Sequence, residues 1–341
     1  MDNSQSVSII VPVHNGGEKF RQCLKSIKDS YLQPHEVIVV TDGAIGNDKK
    51  IAESFDVRIL TTPSPPQGPA RARNVGAQGA NGDILFFIDA DVTLHKESVG
   101  FVMTFFEENP CIPAIFGTYD NTPLEPDFFS QYKNLFHRYT HQNAHVHAST
   151  FWGACGAIRR TVFFNIGAFD ERFGRPSIED IELGYRLTSA GYSIHLLKDL
   201  QVKHLKRWDF KTLLTTDILH RAIPWSRLLL QQGGIPRDLN LKIKDRISCA
   251  VVFMLFFGVP LTFEYQWVRW IVLLMMFMLW GINQNLYLYF FRLRGGWFAF
   301  RSIFFHWFYL FYSGAAFLFV KFDICLKGFL LQIPFYCGVK R

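Results

Sequence analysis

Asp89 and Asp91 stand one residue apart where the apolar run Ile84-Leu-Phe-Phe-Ile88 gives way to a loop. Side chains alternate along a strand, so the two carboxylates share a face. Paired carboxylates at a strand end suit a hard divalent cation, and such a cation can hold a diphosphate. A solvated turn accounts for an isolated pair equally well, because Asp is common in turns. A second acidic pair, Glu179 and Asp180, opens the helical pattern that runs to Leu187. The helix dipole favours ionised acids there, and the same place suits a base that must stay charged.

These groups need a scaffold. Val7–Val13 is apolar and β-branched, as in a strand buried on both faces of a parallel sheet, and it stops at His14-Asn-Gly-Gly17. Glu18–Asp29 carries Phe20, Cys23, Leu24 and Ile27 at helical spacing. A strand at Glu36–Thr41, a turn at Asp42-Gly43 and a polar helix to about Ser54 repeat the unit, followed by strand Val57–Thr61, helix Pro69–Ala80 and strand Ile84–Ile88. This alternation predicts a doubly wound, mainly parallel α/β sheet of Rossmann type with its ligand at the carboxyl ends of the strands, where His14, Asp42 and Asp89 fall. Ser177 is expected to cap the later helix, with Ile181, Tyr185 and Leu187 facing inward and Ala190-Gly191 ending it.

Six segments in order, Ser8–Asn15, Val39–Gly43, Gly68–Gly76, Phe87–Asp91, Gly167–Glu171 and Glu179–Leu183, resemble the nucleotide-sugar domain of family-2 inverting glycosyltransferases of the GT-A fold. The resemblance spans roughly residues 6–205. It implies a Mg²⁺ or Mn²⁺ ion at Asp91, with Asp89 on the ribose or the metal and His204 as a further ligand, neutralising the leaving diphosphate. It assigns Asp42 to the base edge of a nucleoside diphosphate sugar, a UDP-sugar being favoured; Thr41 replaces a second acid common there. Pro12, His14, Arg71, Arg73 and Ala90 complete the implied donor side, His14 in place of a frequent Tyr. Asp180, with Glu179 as neighbour, matches the base that deprotonates the acceptor hydroxyl. Gly153, Ala154 and Cys155 resemble the acceptor-side loop, with Cys155 where Asn is often found.

The chain has two physical halves. Residues 1–200 carry 18 Lys+Arg against 23 Asp+Glu, a net −5, whereas residues 201–341 carry 18 against 6, a net +12. The second half holds three uncharged apolar runs, 247–263, 270–291 and 302–320, each long enough or nearly so to cross a hydrocarbon core of about 30 Å. Trp267, Trp270, Trp297 and Trp307 fall near run ends, as in an aromatic belt. With no charged-then-apolar leader before Val7, and with Arg246 before the first run and Arg292, Arg294 and Arg301 between the second and third, the catalytic half is expected on the cytosolic face of a membrane, a bacterial inner membrane fitting best. The segment Phe329–Val339 leaves three or four crossings open.

A domain at 1–205 and a membrane region at 247–341 then bracket a basic linker, 206–246. Its stretch Trp208–Leu230 reads as an amphipathic helix lying among lipid headgroups, the alternative being a helix packed on the domain. Such a segment would attract anionic lipid or a polyprenyl phosphate, and no nucleic-acid partner is expected. His137, His141 and His145 recur every four residues, with His147 beyond; a polar helix face beside the acceptor cleft fits them better than a zinc site. Six cysteines without CxxC spacing suit free thiols.

Two other readings stand beside a transferase acting on a lipid or lipid-linked acceptor. A processive polysaccharide synthase would carry Gln-x-x-Arg-Trp after the base, and here His204 takes the Gln position before Arg207 and Trp208. An inactive scaffold would lack a metal or base carboxylate, yet Asp89, Asp91 and Asp180 are all present.

Overall fold

The computed structural model describes residues 5–43, 46–231, 238–239 and 241–332, the side chains of 328–332 excepted. Its sheet grows outward from β1 (Val7–Val13), which is buried along its whole length. The next strands are β2 (Glu36–Thr41), β3 (Arg58–Thr61) and β4 (Ile84–Ile88), linked by helices α1 (Gly17–Lys28), α2 (Asp48–Glu53) and α3 (Pro69–Gly79). All three pairings among these four strands are parallel. Period-two alternation divides β1 between two cores: Ile9 and Val11 face Phe20 of α1, and Ile10 faces Ala72 of α3.

Beyond β4 the sheet is mixed. β5 (Val92–Leu94), α4 (Ser98–Glu108), β6 (Ala114–Tyr119), α5 (Phe128–Gln142), β7 (His147–Ala148), β8 (Cys155–Arg159), α6 (Arg160–Asn165), α7 (Glu179–Ser189) and β9 (Ile194–His204) complete the domain. β8 runs antiparallel between β4 and β6, β9 lies parallel to β6, and β5 and β7 pair antiparallel with β9. The strand order is β3-β2-β1-β4-β8-β6-β9-β5, with β7 beside β9.

The rest is helical. α8 (Phe210–Thr215), a π-helical turn over Thr216–Ala222 and α9 (Ile223–Gln231) follow without a break. α10 (Ile243–Leu261) and α11 (Gln266–Gln332) cover the three apolar runs, because Gly295, at φ +81° and ψ 176°, divides α11 into two arms. Only glycine adopts that φ without strain. The arms are joined by the Tyr287 hydroxyl, 3.1 Å from His306 Nδ1, and by Trp307 Nε1, which donates to the same oxygen at 3.0 Å. Trp307 is half-buried at this contact, whereas Trp267, Trp270 and Trp297 are exposed. The end of the expected Phe329–Val339 segment lies outside the described residues.

The sheet domain is docked on these helices. Tyr132 and Leu135 of α5, Trp208 and Leu213 share one buried cluster with Leu286, Phe290 and Phe305 of α11. Arg294 donates to the Asn121 carbonyl at 2.6 Å and to Gln131 Oε1 at 2.8 Å. Asp217 accepts from Lys133 of α5 and from the Tyr312 hydroxyl of α11. The stretch from Trp208 onward is thus packed between domain and arm along one side, with Trp208 buried rather than offered to headgroups, while Phe210 and Leu219 face outward.

Candidate active site

Parallel pairing brings the carboxyl ends of β1, β2 and β4 to one edge, and the loops there form the site. Asp42, just past β2, is buried and accepts from the Thr62 hydroxyl at 2.5 Å, the Gln67 amide at 2.9 Å and the Gly68 amide at 2.8 Å. The carboxylate expected at a base edge therefore also ties down the loop before α3, leaving acceptor capacity on Oδ2 only. Gly68 has φ +93°, and a Cβ there would fall 2.6 Å from the Gly174 carbonyl carbon, so glycine alone fits. His14 is exposed, its ring held by Nδ1 donating to the Asp42 carbonyl at 3.0 Å. Pro12 is buried within β1 in register with Val40.

α3 carries the hub. Arg73 donates to Glu179 Oε1 at 2.9 Å and to Asp89 Oδ1 at 2.6 Å, and its side chain is only 4% exposed. Expected on donor phosphates or base, Arg73 instead clamps two acids of the site together, and Asp89 is held by it. Arg71 pairs at the surface with Glu171 at 3.1 Å. Asn74 exchanges two hydrogen bonds with the backbone of Phe169, which fixes the Gly167–Glu171 loop against α3.

Asp180 receives the Gly153 amide at 3.1 Å and the Ile181 amide at 2.8 Å. Burial, then the neighbouring Glu179 carboxylate, pushes its pKa up to about 6, against the pull of the Gly153 amide and Arg73. Gly153 must be small because a Cβ would stand 3.1 Å from the Arg73 guanidinium carbon. Ala154 is buried and its carbonyl accepts from the Asp89 amide at 3.3 Å. Cys155 departs from expectation: it is wholly buried at the start of β8, where a side chain at Gly117 would meet its sulfur, so it packs behind the loop rather than lining the acceptor side. Ser177 does not cap α7 either; Ile178 holds that position, and the Ser177 hydroxyl donates to the His220 carbonyl at 2.7 Å.

Asp91 and His204 face each other across the β5–β9 pair, with His204 Nε2 4.0 Å from Asp91 Oδ2. Two ligands at about 2.1 Å from one ion stand roughly 3–4 Å apart, so this pair fits a shared divalent cation. Burial depresses His204 to a pKa of about 3, which keeps the imidazole neutral as a ligand requires. Asp91 is one-third exposed and next to Ala90, open to the cleft. Among the described residues no group of three or more His, Cys, Asp or Glu is gathered for a metal, so substrate oxygens and water would complete a coordination shell.

The geometry meets its likeness here. Residues 8–167 match the model of glycosyl transferase family 2. They form a family 2 glycosyltransferase domain. The chain is similar to glycosyltransferase AglE of Haloferax volcanii, at 24% identity over 73% of this chain and 78% of that protein. It is similar to pre-mycofactocin glycosyltransferase of Mycobacterium tuberculosis at 26% identity over 73% of this chain, a match spanning 50% of that protein. The mannosyltransferase PcManGT of Pyrobaculum calidifontis, solved in complex with GDP-Man and Mn²⁺, shares the GT-A fold: TM-score 0.55 over 83% of this chain and 87% of that one, at 15% identity.

Behind Asp91 and His204 stands an aromatic wall. His204 stacks on Tyr119 with ring centroids 4.3 Å apart, Tyr119 meets His137 at 4.8 Å, and His137 meets His141 at 4.1 Å. The histidine series therefore divides: His137 and His141 build this wall, while His147 packs on His195 at 4.6 Å. Tyr119 had no local sequence signal, and neither did Asp48, which is buried and accepts the Gly16 amide at 3.0 Å at the start of α1.

Proposed function

We propose that the chain is a membrane-held, inverting, metal-dependent glycosyltransferase that moves a sugar from a nucleoside diphosphate sugar, a UDP-sugar by preference, to a lipid or lipid-linked acceptor at the cytosolic face of a bacterial inner membrane. The observation that carries this reading is the gathering of Asp89 and Glu179 on the one buried guanidinium of Arg73, with half-buried Asp180 beside Glu179 and held by the Gly153 and Ile181 amides. Asp180 takes the acceptor hydroxyl's proton as that oxygen bonds to the anomeric carbon and the bond to the diphosphate breaks on the opposite face. The amides of Gly153 and Ile181 aim the carboxylate, and Arg73 keeps Glu179 beside it as a fixed negative charge. Asp91 and His204 would hold Mg²⁺ or Mn²⁺, which would supply Lewis-acid neutralisation of the departing diphosphate. Membrane attachment is supported by α10 and α11, whose outward surface includes Phe256, Phe257, Trp270, Leu274 and Phe277.

The test is a panel of nucleotide sugars scored for release of nucleoside diphosphate, with and without chelator and with and without lipid extract. Release that needs both a divalent ion and lipid supports the reading. Release unaffected by chelator removes the metal role, and release stimulated only by a soluble sugar or a protein removes the lipid acceptor.

A further inference from the structure

Metal-binding histidines are ordinarily aimed by a hydrogen bond from the second ring nitrogen to a carbonyl or carboxylate. His204 is not held in that way: among the described residues its ring makes no hydrogen bond, and its one ion-pair contact, at 4.0 Å, is Asp91, the other candidate ligand. What lies flat against the imidazole is Tyr119, with 4.3 Å between ring centroids and 19° between planes. Tyr119 is itself wedged, perpendicular to Trp152 at 4.8 Å and tilted against His137 at 4.8 Å.

The contact depends on a break in register. β6 and β9 run parallel, yet between two paired positions β6 advances two residues, from Phe116 to Thr118, while β9 advances five, from Leu196 to Gln201. Gly117 permits this, because a Cβ there would run into the Leu200 carbonyl oxygen. After the shift Tyr119 stands opposite Val202, so His204, two residues on, shares its face of the sheet. Unbroken pairing from Phe116 and Leu196 would set Asp199 opposite Tyr119 and leave His204 five residues further on, facing the other way.

We propose that Tyr119 is a positioning residue for the metal: its ring fixes the plane of the His204 imidazole and keeps Nε2 toward Asp91, the task a hydrogen bond performs elsewhere. This rests on the reading of Asp91 and His204 as ligands of a divalent cation. Leucine in place of Tyr119 offers the imidazole no plane to lie on, whereas phenylalanine keeps the plane and drops only the hydroxyl.

The experiment reads the metal rather than the reaction. Full-length protein in detergent is titrated with Mn²⁺, the free ion being followed by its electron paramagnetic resonance signal, and the bound ion is then examined by electron spin echo modulation for a coordinated imidazole nitrogen. Wild type should bind Mn²⁺ and show that nitrogen. Tyr119→Leu should weaken binding by about 10–100-fold, the usual loss when the partner of a metal ligand is removed, and should lose the nitrogen signal. Tyr119→Phe should stay within about twofold of wild type and keep it. In a His204→Ala background Tyr119→Leu should change the affinity less than about twofold, because it acts only through the imidazole. Tyr119→Leu that binds like wild type or keeps the nitrogen signal overturns the proposal alone, and so does Tyr119→Phe that loses as much as Tyr119→Leu. Should Tyr119→Leu fail to fold, Tyr119→Met takes its place with the same outcomes. Wild type without the nitrogen signal, or His204→Ala that binds Mn²⁺ like wild type, removes His204 from the ligands and overturns the metal reading together with the proposal.

Discussion

Arg73 Nη1 donates to Glu179 Oε1 at 2.9 Å across 106 residues of chain, and both side chains are almost fully buried. Because its other terminal nitrogen holds Asp89, this one guanidinium spaces the strand-end acids from the helix-start acids. Lysine has neither the fork nor the reach to do both. Removing one partner of a buried pair leaves an uncompensated charge, so Arg73→Leu should cost about 3–5 kcal/mol in denaturant unfolding. A loss below about 1 kcal/mol would mean that water already shares the acids with Arg73.

Asp91→Asn should abolish chelator-sensitive nucleotide binding while the melting temperature stays close to wild type, since Asp91 is one-third exposed and bonds no other side chain closely. Calorimetric titration of UDP and GDP with and without EDTA measures this. Equal affinities in all four conditions would place the metal elsewhere.

For Asp180→Asn, turnover at saturating substrates should fall by about 10²–10⁴-fold with nucleotide affinity nearly unchanged. The wild-type rate should climb as pH rises through about 6, where the carboxylate ionises, and the variant should lack that limb. Stability carries the opposite sign: a carboxyl whose folded pKa lies above its unfolded value of 3.8 loses stability as pH rises through about 6. The variant should therefore melt no lower than wild type at pH 8.

Deleting residues 247–341 strips Leu286, Phe290 and Phe305 from Tyr132, Leu135, Trp208 and Leu213. The exposed patch is apolar and hence insensitive to salt screening. The truncated chain should aggregate or stay on vesicles at both low and high salt. Release from anionic vesicles by salt alone, into monomeric protein, would show that the joint is not needed to cover the domain.

The first half of the sheet was readable because each of β1, β2 and β4 is a mostly apolar run followed by a turn, and α1 repeats its buried positions at helical spacing. The acids at those ends were legible for the same reason. The antiparallel placing of β8 was not, since its neighbours β4 and β6 are set by long-range pairing that no local period records. Arg73 looked like any helical arginine, because only folding brings Glu179 to it. Cys155 misled through its motif position: where a loop becomes a strand, one residue's shift sends the side chain to the core face. The linker's apolar stripe was visible, but a stripe does not say whether lipid or Phe305 covers it.

The joint of Arg294, Lys133, Asp217 and Tyr312 ties the domain that holds the site to α11 at more than one point. A tethered enzyme sweeps a volume and meets any target within its rope; on the proposed reading, with α10 and α11 held in a membrane, a domain docked in this way would keep a constant standoff from it. Reach then becomes a selector. An acceptor would then have to present its reacting oxygen at one elevation, and head size and spacer length would be screened before any chemistry begins.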